Sequence, residues 1–219
     1  MVDVGIEDNR VELRSYDSEA TLADLRNAVE RARYDSRLVT FHCAGCGRCC
    51  YTGHLPLFGF DLVDMRSRRM TNDLTPWIEF PEPPDLEERR RGIEEMSRQH
   101  RLDSRTATLL YEFNVAEPIT YRKGAAGGCV FLRNGFCSNY EGRAYTCGLY
   151  VCNMGERLSV LQEAIVRQGV WHSYFVEGWI SEAEIRHNPF LGHSDYDTVL
   201  LSGFDIDMSD ALQSLFFYF

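Results

Sequence analysis

The stretch CAGCGRCC, residues 43–50, brings four cysteines together within eight residues and decides what kind of domain the chain can form. Gly45 and Gly47 lie between the cysteines, and glycine adopts positive φ angles at little cost. A loop of this composition can turn sharply enough to point several sulfur atoms at one centre. Backbone amides freed by such a loop can also stabilise the charge on sulfur. The stretch therefore predicts a metal-binding loop.

Cys49 and Cys50 are adjacent in this loop. Neighbouring side chains diverge, so both rarely serve the same small site. We expect one of the two thiols to point towards a second centre or towards cysteines elsewhere in the chain.

A second group of four cysteines follows the first after 78 residues without any, in the pattern C-x7-C-x9-C-x4-C. This spacing is too loose to indicate a particular metal. Together the groups supply eight thiolates, which permits two four-sulfur sites, one site with spare thiols, or a bridged cluster. We predict that all eight are ligands, namely Cys43, Cys46, Cys49, Cys50, Cys129, Cys137, Cys147 and Cys152. Thiolate charge favours nearby cations as compensation, and the candidates are Arg48, Arg122, Lys123, Arg133 and Arg143.

The composition is typical of a globular domain, with 44% hydrophobic and 26% charged residues among 219. The 33 acidic and 23 basic side chains give a net charge of −10, which argues against nucleic-acid binding because it repels phosphate backbones. No apolar run approaches the ~20 residues that span a bilayer, and the acidic N-terminus does not resemble a secretory signal. We therefore expect a cytoplasmic protein, in which clustered cysteines bind metal rather than form disulfides.

Residues with period three to four indicate helices, and short β-branched runs indicate strands. The sequence predicts a helix over 22–33 capped by Thr21, and a second helix that Asp61 caps. Asp85 is predicted to begin a third helix, with the pairs Glu87–Arg91 and Glu94–Arg98. We further expect strands at 38–41 and 108–115, and a helix over 156–167 that Gly169 stops. This combination predicts an α+β, mainly helical, compact metal-stabilised domain with two cysteine-bearing loop regions.

The distribution of cysteines and charge suggests three parts. Residues 1–40 are predicted to form an N-terminal helical extension, 41–176 the cysteine-cluster metal-binding domain, and 177–219 an acidic C-terminal tail. The tail ends in the apolar run Leu215 to Phe219. Such an ending either packs on the core or docks in a partner, and we favour packing on the core.

Several enzyme classes lack their usual sequence patterns. The chain contains neither H-E-x-x-H nor the glycine-rich nucleotide fingerprints nor a G-x-S-x-G motif. A radical SAM enzyme requires C-x3-C-x2-C, but residue 53, three positions after Cys50, is glycine. His42 and His54 flank the first group and are expected to support the site or lie at the surface rather than ligate. The sequence therefore assigns no catalytic residue, and whether the protein is an enzyme stays open.

CAGCGRCC, followed by GGCVFLRNGFCSNYEGRAYTC at residues 127–147, resembles the YkgJ-type CxxCxxCC cysteine-cluster family. The similarity spans roughly residues 41–152, and Asn139 and Ala144 depart from the family pattern. Besides the cysteines up to Cys147, the positions that match are Gly47, Phe131, Leu132, Tyr140 and Arg143, with Asp61 at a frequently acidic position. The resemblance implies a zinc- or iron-chelating domain, sometimes described as an iron-sulfur oxidoreductase. Similar cysteine patterns occur in flagellin lysine N-methylases.

Between the two metals, the C-x2-C-x2-C run favours iron-sulfur, because bacterial ferredoxin loops place three cysteines on one cluster at this spacing. Zinc sites prefer two C-x2-C pairs, and only the first group has one. We therefore expect one or two clusters, of the 4Fe-4S type, with zinc as the alternative. The hypothesis for function is an accessory protein in electron transfer or redox sensing that acts with a larger protein or complex. The alternatives are an oxidoreductase or protein lysine methylase with a structural cluster, and a structural zinc adaptor.

Overall fold

The structure is a computed structural model that describes residues 1–33, 48–52, 55–115 and 117–204. The predicted strand at 38–41 and the apolar run Leu215 to Phe219 lie outside these residues. Cys43 and Cys46 lie outside them as well.

The described residues form short two-stranded antiparallel sheets and a larger set of helices, which confirms the α+β, mainly helical prediction. The strands are β1 (Val2–Glu7), β2 (Arg10–Tyr16), β3 (Ile78–Glu79), β4 (Thr120–Tyr121), β5 (Leu132–Arg133) and β6 (Phe136–Cys137). The helices are α1 (Leu22–Arg33), α2 (Arg48–Thr52), α3 (Gly59–Arg69), α4 (Leu86–His100), α5 (Ser104–Val115), α6 (Tyr145–Leu149) and α7 (Glu156–Val176). Two 3₁₀ helices follow, Glu182–Ile185 and Leu201–Phe204.

The β1–β2 hairpin was not predicted from the sequence. Asp8 and Asn9 form its two-residue turn with φ of 45° and 61°, the geometry of a type I′ turn that Asp and Asn tolerate. Val11 and Leu13 alternate with more exposed residues and are buried. The hairpin contacts α1 and α7, so the N-terminal segment contributes to the core.

Helix α7 lies at the centre of the packing, because its two halves belong to different apolar clusters. Leu158 and Ile165 pack with the β1–β2 hairpin and α1. Trp171 and Tyr174 pack with α3 and with Ile119. This single helix joins the two clusters of the core.

The predicted helix starts are confirmed in part. Helix α1 has the predicted bounds, and the Thr21 hydroxyl accepts a hydrogen bond from the Asp24 amide at 3.3 Å. Asp85 caps α4 as predicted. Helix α3, however, begins after Phe58, and Asp61 lies in its first turn, where its carboxylate accepts a hydrogen bond from the Phe58 amide at 2.9 Å. Asp61 stabilises the helix start without being the cap residue.

The strand predicted at 108–115 is wrong, because these residues belong to helix α5. Asp103 accepts hydrogen bonds from the amides of Arg105 and Thr106 and so starts a helix. Ala107 and Leu110, three residues apart, lie on its buried face.

The two ion pairs predicted on α4 also differ. The structure has Glu87 with Arg90 at 2.8 Å, and Glu95 with Arg98. Both pairs join residues three apart rather than four.

Gly169 does not stop a helix, and the end predicted there is wrong. Helix α7 continues to Val176, and Gly169 faces the ring of Phe58, which is fully buried. A β-carbon at Gly169 would overlap this ring. The glycine therefore permits a close approach between α7 and the segment before α3.

Gly169→Ala is expected to destabilise the protein by about 1–3 kcal/mol, because the Phe58 ring has no room to move. In an exposed helix the same substitution would instead stabilise the protein by ~1 kcal/mol, so the expected change in stability here has the opposite sign. Urea unfolding monitored by circular dichroism measures the change. Ser159→Ala, at an exposed position of α7, is the control, and equal stability of the two variants would refute the packing role.

Residues 177–204 pack on the core. Phe190, Val199, Leu201 and Phe204 are buried in the same apolar cluster as the hairpin and α1. The division of the chain into parts at residues 40 and 176 stays a prediction.

His172 is a buried histidine of α7. Its ring stacks on Phe190 with centroids 5.2 Å apart and meets Phe60 edge-on at 4.8 Å. Burial without a counter-charge lowers the pKa of His172 to about 4. The neutral ring therefore behaves as a core aromatic residue.

Because the pKa of His172 is lower in the folded protein than in the unfolded chain, its contribution to stability is complete above pH ~6.5 and is lost as the pH falls towards 4. We expect this loss to reach about 3 kcal/mol. His172→Phe removes the loss, so the variant gains stability relative to the wild type between pH 6.5 and 4. Urea unfolding across this range measures the difference. The His100→Gln variant, at an exposed position, should show the same dependence of stability on pH as the wild type. The assignment would be contradicted if the stability of His172→Phe changed with pH in the same way as that of the wild type.

Candidate metal centre

The first and second cysteine groups are joined by a backbone hydrogen bond. The amide of Cys129 donates to the carbonyl of Cys50 at 2.7 Å. Cys49 and Cys50 lie on the short helix α2, and Cys129 precedes the β5–β6 hairpin. Two segments that are far apart in sequence are thereby held side by side.

The β5–β6 hairpin positions Cys137. Leu132 pairs with Cys137, and the turn residues Asn134 and Gly135 have φ of 52° and 83°. Both values fit a type I′ turn, for which Asn-Gly is the favoured sequence. The tight turn returns the chain towards Cys129.

Helix α6 positions Cys147 and is anchored from two sides. The Tyr145 amide at its start donates to the Asp61 carboxylate at 3.0 Å. The Arg33 guanidinium donates to the Cys147 carbonyl at 3.1 Å and also to the Tyr150 carbonyl. Burial raises the pKa of Asp61 to about 6, although the hydrogen bonds that its carboxylate accepts from the amides of Phe58 and Tyr145 oppose this rise. Asp61 thus ties the start of α3 to the helix that carries Cys147.

Five of the predicted ligands come together. The thiol of Cys147 interacts electrostatically with Cys129, Cys49 and Cys137, and Cys50 interacts with Cys129 and Cys147. These five are thiols and not half-cystines. The structure therefore places α2, the β5–β6 hairpin and α6 near one another.

Cys49 and Cys50 both lie near the second cysteine group, and the expectation that one of them points towards cysteines elsewhere in the chain stays a prediction. Their thiols are hydrogen-bonded to each other, and both interact electrostatically with Cys147. The segment is helical, and successive side chains of a helix differ by only about 100° in direction. Both thiols can therefore face the second group.

The surroundings of the thiols shift their pKa values in opposite directions. The Cys50 thiol, acting as hydrogen-bond donor, lowers the pKa of Cys49 to about 6, and the positive charge of Arg33 contributes. The same hydrogen bond raises the pKa of Cys50. Burial raises the pKa of Cys129, and raises that of Cys147 to about 12, with neighbouring thiols adding to both. Crowded thiolates repel one another, and a bound cation removes this repulsion.

The donor set fits a thiophilic metal centre, since sulfur ligands select zinc, copper(I) and iron-sulfur clusters. Within the described ranges, no three Cys, His, Asp or Glu side chains form a group that could hold a metal ion. Cys43 and Cys46, which immediately precede α2 in sequence, fall outside those ranges.

Cys152 stands apart from this group in its exposure. Its side chain is exposed, whereas those of the five convergent cysteines are partly buried. Its role as a ligand stays a prediction.

In the described part of the chain, Arg33 and Arg133 place positive charge near the thiols and interact with Cys49 and Cys129 respectively. Arg133 was among the predicted cations. Arg143 instead pairs with Glu30 and lies over the Tyr140 ring at 4.0 Å.

Arg33 was not among the cations predicted near the thiols, although the sequence contains a signal for its burial. It is four residues after the buried Val29, so it continues the apolar face of α1 and is 6% exposed. A charged residue on such a face indicates a buried partner.

Aromatic side chains surround the centre. Tyr121 accepts a hydrogen bond from the Ala144 amide at 3.1 Å and interacts electrostatically with Cys147. Tyr51, Phe136 and Tyr140 are 48%, 68% and 51% exposed. The cysteine group therefore lies close to the surface, beside exposed rings.

The fold and the site define a mainly helical α+β domain in which cysteines from separate segments converge. The chain belongs to the CxxCxxCC family, described as a proposed zinc- or iron-chelating domain, because the family model matches residues 42–165, more than half of the chain. This confirms the resemblance found in the sequence and supports a zinc or iron cofactor. No curated protein and no solved structure matches the chain significantly. Among the described residues, no helix combines the length and the apolarity needed to cross a bilayer.

Proposed function

We propose that the protein binds an iron-sulfur cluster of the 4Fe-4S type and acts in electron transfer or redox sensing with a larger partner. The observation that carries this proposal is that Cys49, Cys50, Cys129, Cys137 and Cys147, from three separate segments of the chain, lie close enough to interact electrostatically. Cys43, Cys46 and Cys152 complete the proposed ligand set. When bound, such a cluster supplies a one-electron redox centre.

The spacing of the first cysteine group supports iron-sulfur over zinc. A structural zinc ion and a 4Fe-4S cluster each take four thiolates, so the number of cysteines alone does not separate them. The C-x2-C-x2-C run is a spacing that iron-sulfur loops use.

The surrounding residues suit a negatively charged centre. Arg33 and Arg133 place positive charge beside Cys49 and Cys129, and Arg33 also holds the backbone of α6 through two carbonyls. Tyr121, which interacts electrostatically with Cys147, packs edge-on against Phe131 with centroids 5.1 Å apart. The arginines therefore supply positive charge beside the thiols, and Tyr121 lies close to Cys147.

The position of the site supports exchange of electrons with a partner. Exposed aromatic side chains are enriched where proteins dock, and Tyr51 and Phe136 each adjoin a candidate ligand in sequence. A redox centre near the surface can be approached closely by a second protein. The acidic tail provides a further candidate contact for that partner.

Anaerobic purification followed by analysis of iron, acid-labile sulfide and zinc tests the proposal. We expect a brown protein with iron and sulfide in equal amounts, whose visible absorption bleaches on reduction with dithionite. A colourless protein with stoichiometric zinc would refute the iron-sulfur proposal and establish the zinc adaptor instead. Methyl transfer would require saturable binding of S-adenosylmethionine, which calorimetry on the same preparation detects.

A further inference from the structure

A second site lies away from the cysteines, in a cavity of about 370 Å³ between α4, the first turns of α5 and residues 183–188. Its volume is within the range of pockets that hold small molecules, about 300–1,000 Å³. None of its lining residues is a cysteine. The cavity is therefore independent of the metal centre in both position and chemistry.

The cavity is positively charged although the protein is acidic. Four arginines and three glutamates line it, which gives a net charge of +1 on a chain of −10. Arg89 is paired with Glu112, and Arg90 with Glu87 at 2.8 Å. In the part of the chain that the structure describes, Arg105 and Arg186 form no ion pair with a carboxylate.

Two of the three acidic lining groups are engaged by neighbouring residues. The Glu184 carboxylate accepts hydrogen bonds from the amide and the hydroxyl of Ser181. The buried Glu112 is held by Arg89. The third, Glu94, is exposed. The exposed Arg105 and Arg186 therefore remain available to an anion.

Arg89 provides a second, independent indication. Its side chain is only 6% exposed, and its guanidinium lies 4.5 Å from the centroid of the Trp171 ring. One terminal nitrogen donates to Glu112 and to the Glu184 carbonyl, yet its buried Nε has no hydrogen-bond partner. Buried guanidinium donors are normally all satisfied.

We propose that this cavity binds a small molecule carrying a carboxylate or phosphate group, which Arg105 and Arg186 hold at the opening in front of the buried Arg89. Guanidinium groups bind both oxyanions through paired hydrogen bonds. Ile93 and Ile185 supply apolar contact for the rest of the molecule. The site has no role in metal binding, so it adds a second function to the domain.

Isothermal titration calorimetry on the full chain, purified with its metal, tests the proposal with two probes, inorganic phosphate and succinate, at constant ionic strength. We expect saturable binding of at least one probe to a single site, and the tighter probe identifies the oxyanion. Arg105→Gln and Arg186→Gln should each weaken binding by about tenfold, since a charge-assisted hydrogen bond is lost. Both residues are exposed, so the fold is retained.

Arg98→Gln is the matched control, because Arg98 is an exposed arginine of the same helix α4 that lies outside the cavity. Its affinity should equal that of the wild type. Absence of saturable binding for both probes would overturn the proposal. Equal weakening by all three substitutions would also overturn it, because it would indicate general attraction to positive charge.

Discussion

Cys147→Ser is expected to abolish stoichiometric metal binding and to cause the largest loss of stability of any single substitution at the site. Cys147 interacts with Cys129, Cys49 and Cys137 and is carried by the short helix α6, which Asp61 and Arg33 hold in place. Serine has nearly the same shape, but its hydroxyl does not ionise and is a poor ligand for a thiophilic metal. Structural metal sites contribute on the order of 10 kcal/mol to folding. Elemental analysis and thermal unfolding of the purified variant measure both effects.

Val160→Ser is the matched control, since it introduces serine at a position of α7 that is 38% exposed. It should keep the metal content and the melting temperature of the wild type. A Cys147→Ser protein with full metal content would exclude Cys147 from the ligand set. Cys152→Ser, measured alongside, decides whether the exposed Cys152 belongs to that set.

Glu112→Ala is expected to lower the free energy of unfolding by about 3–5 kcal/mol, because it leaves the charge of Arg89 buried without its partner. The side chains of Arg89 and Glu112 are 6% and 3% exposed. Burial raises the pKa of Glu112 to about 6, although the positive charge of Arg89 opposes this. At pH 7 the carboxylate is ionised and the pair is formed. Urea unfolding at this pH measures the loss.

Glu163→Ala provides the comparison. It removes a pair with Arg167 whose side chains are 39% and 29% exposed, and exposed pairs of this kind contribute less than about 1 kcal/mol. A loss of similar size in the two variants would contradict the assignment of the Arg89–Glu112 pair to the protein interior.

Local patterns predicted the helices whose signals lie within one segment. The period of α1 and the cap at Asp85 are examples, because side chains a few residues apart decide both. The prediction failed at α5, where the cap at Asp103 determines the structure and the imperfect alternation at 108–115 does not. It also failed at Gly169, which serves a contact with Phe58 that no local pattern contains.

The candidate site could likewise be predicted from the sequence only in part. The identity of the cysteines and their grouping were evident in the sequence, and the family pattern added Asp61. Their convergence depends on contacts between distant segments, such as the hydrogen bond from Cys129 to Cys50. Arg33 approaches the thiols only because α1 packs against α6. Such long-range packing cannot be derived from spacing alone.

X-ray absorption spectroscopy at the metal edge of the anaerobically purified protein tests most directly whether sulfur atoms from separate segments share one metal centre. The account predicts a first shell of sulfur at about 2.3 Å, the metal–thiolate distance known for zinc, and in the iron-sulfur case a further shell of neighbouring iron. A first shell made only of oxygen and nitrogen, or folded protein that shows neither an iron nor a zinc edge, would contradict it.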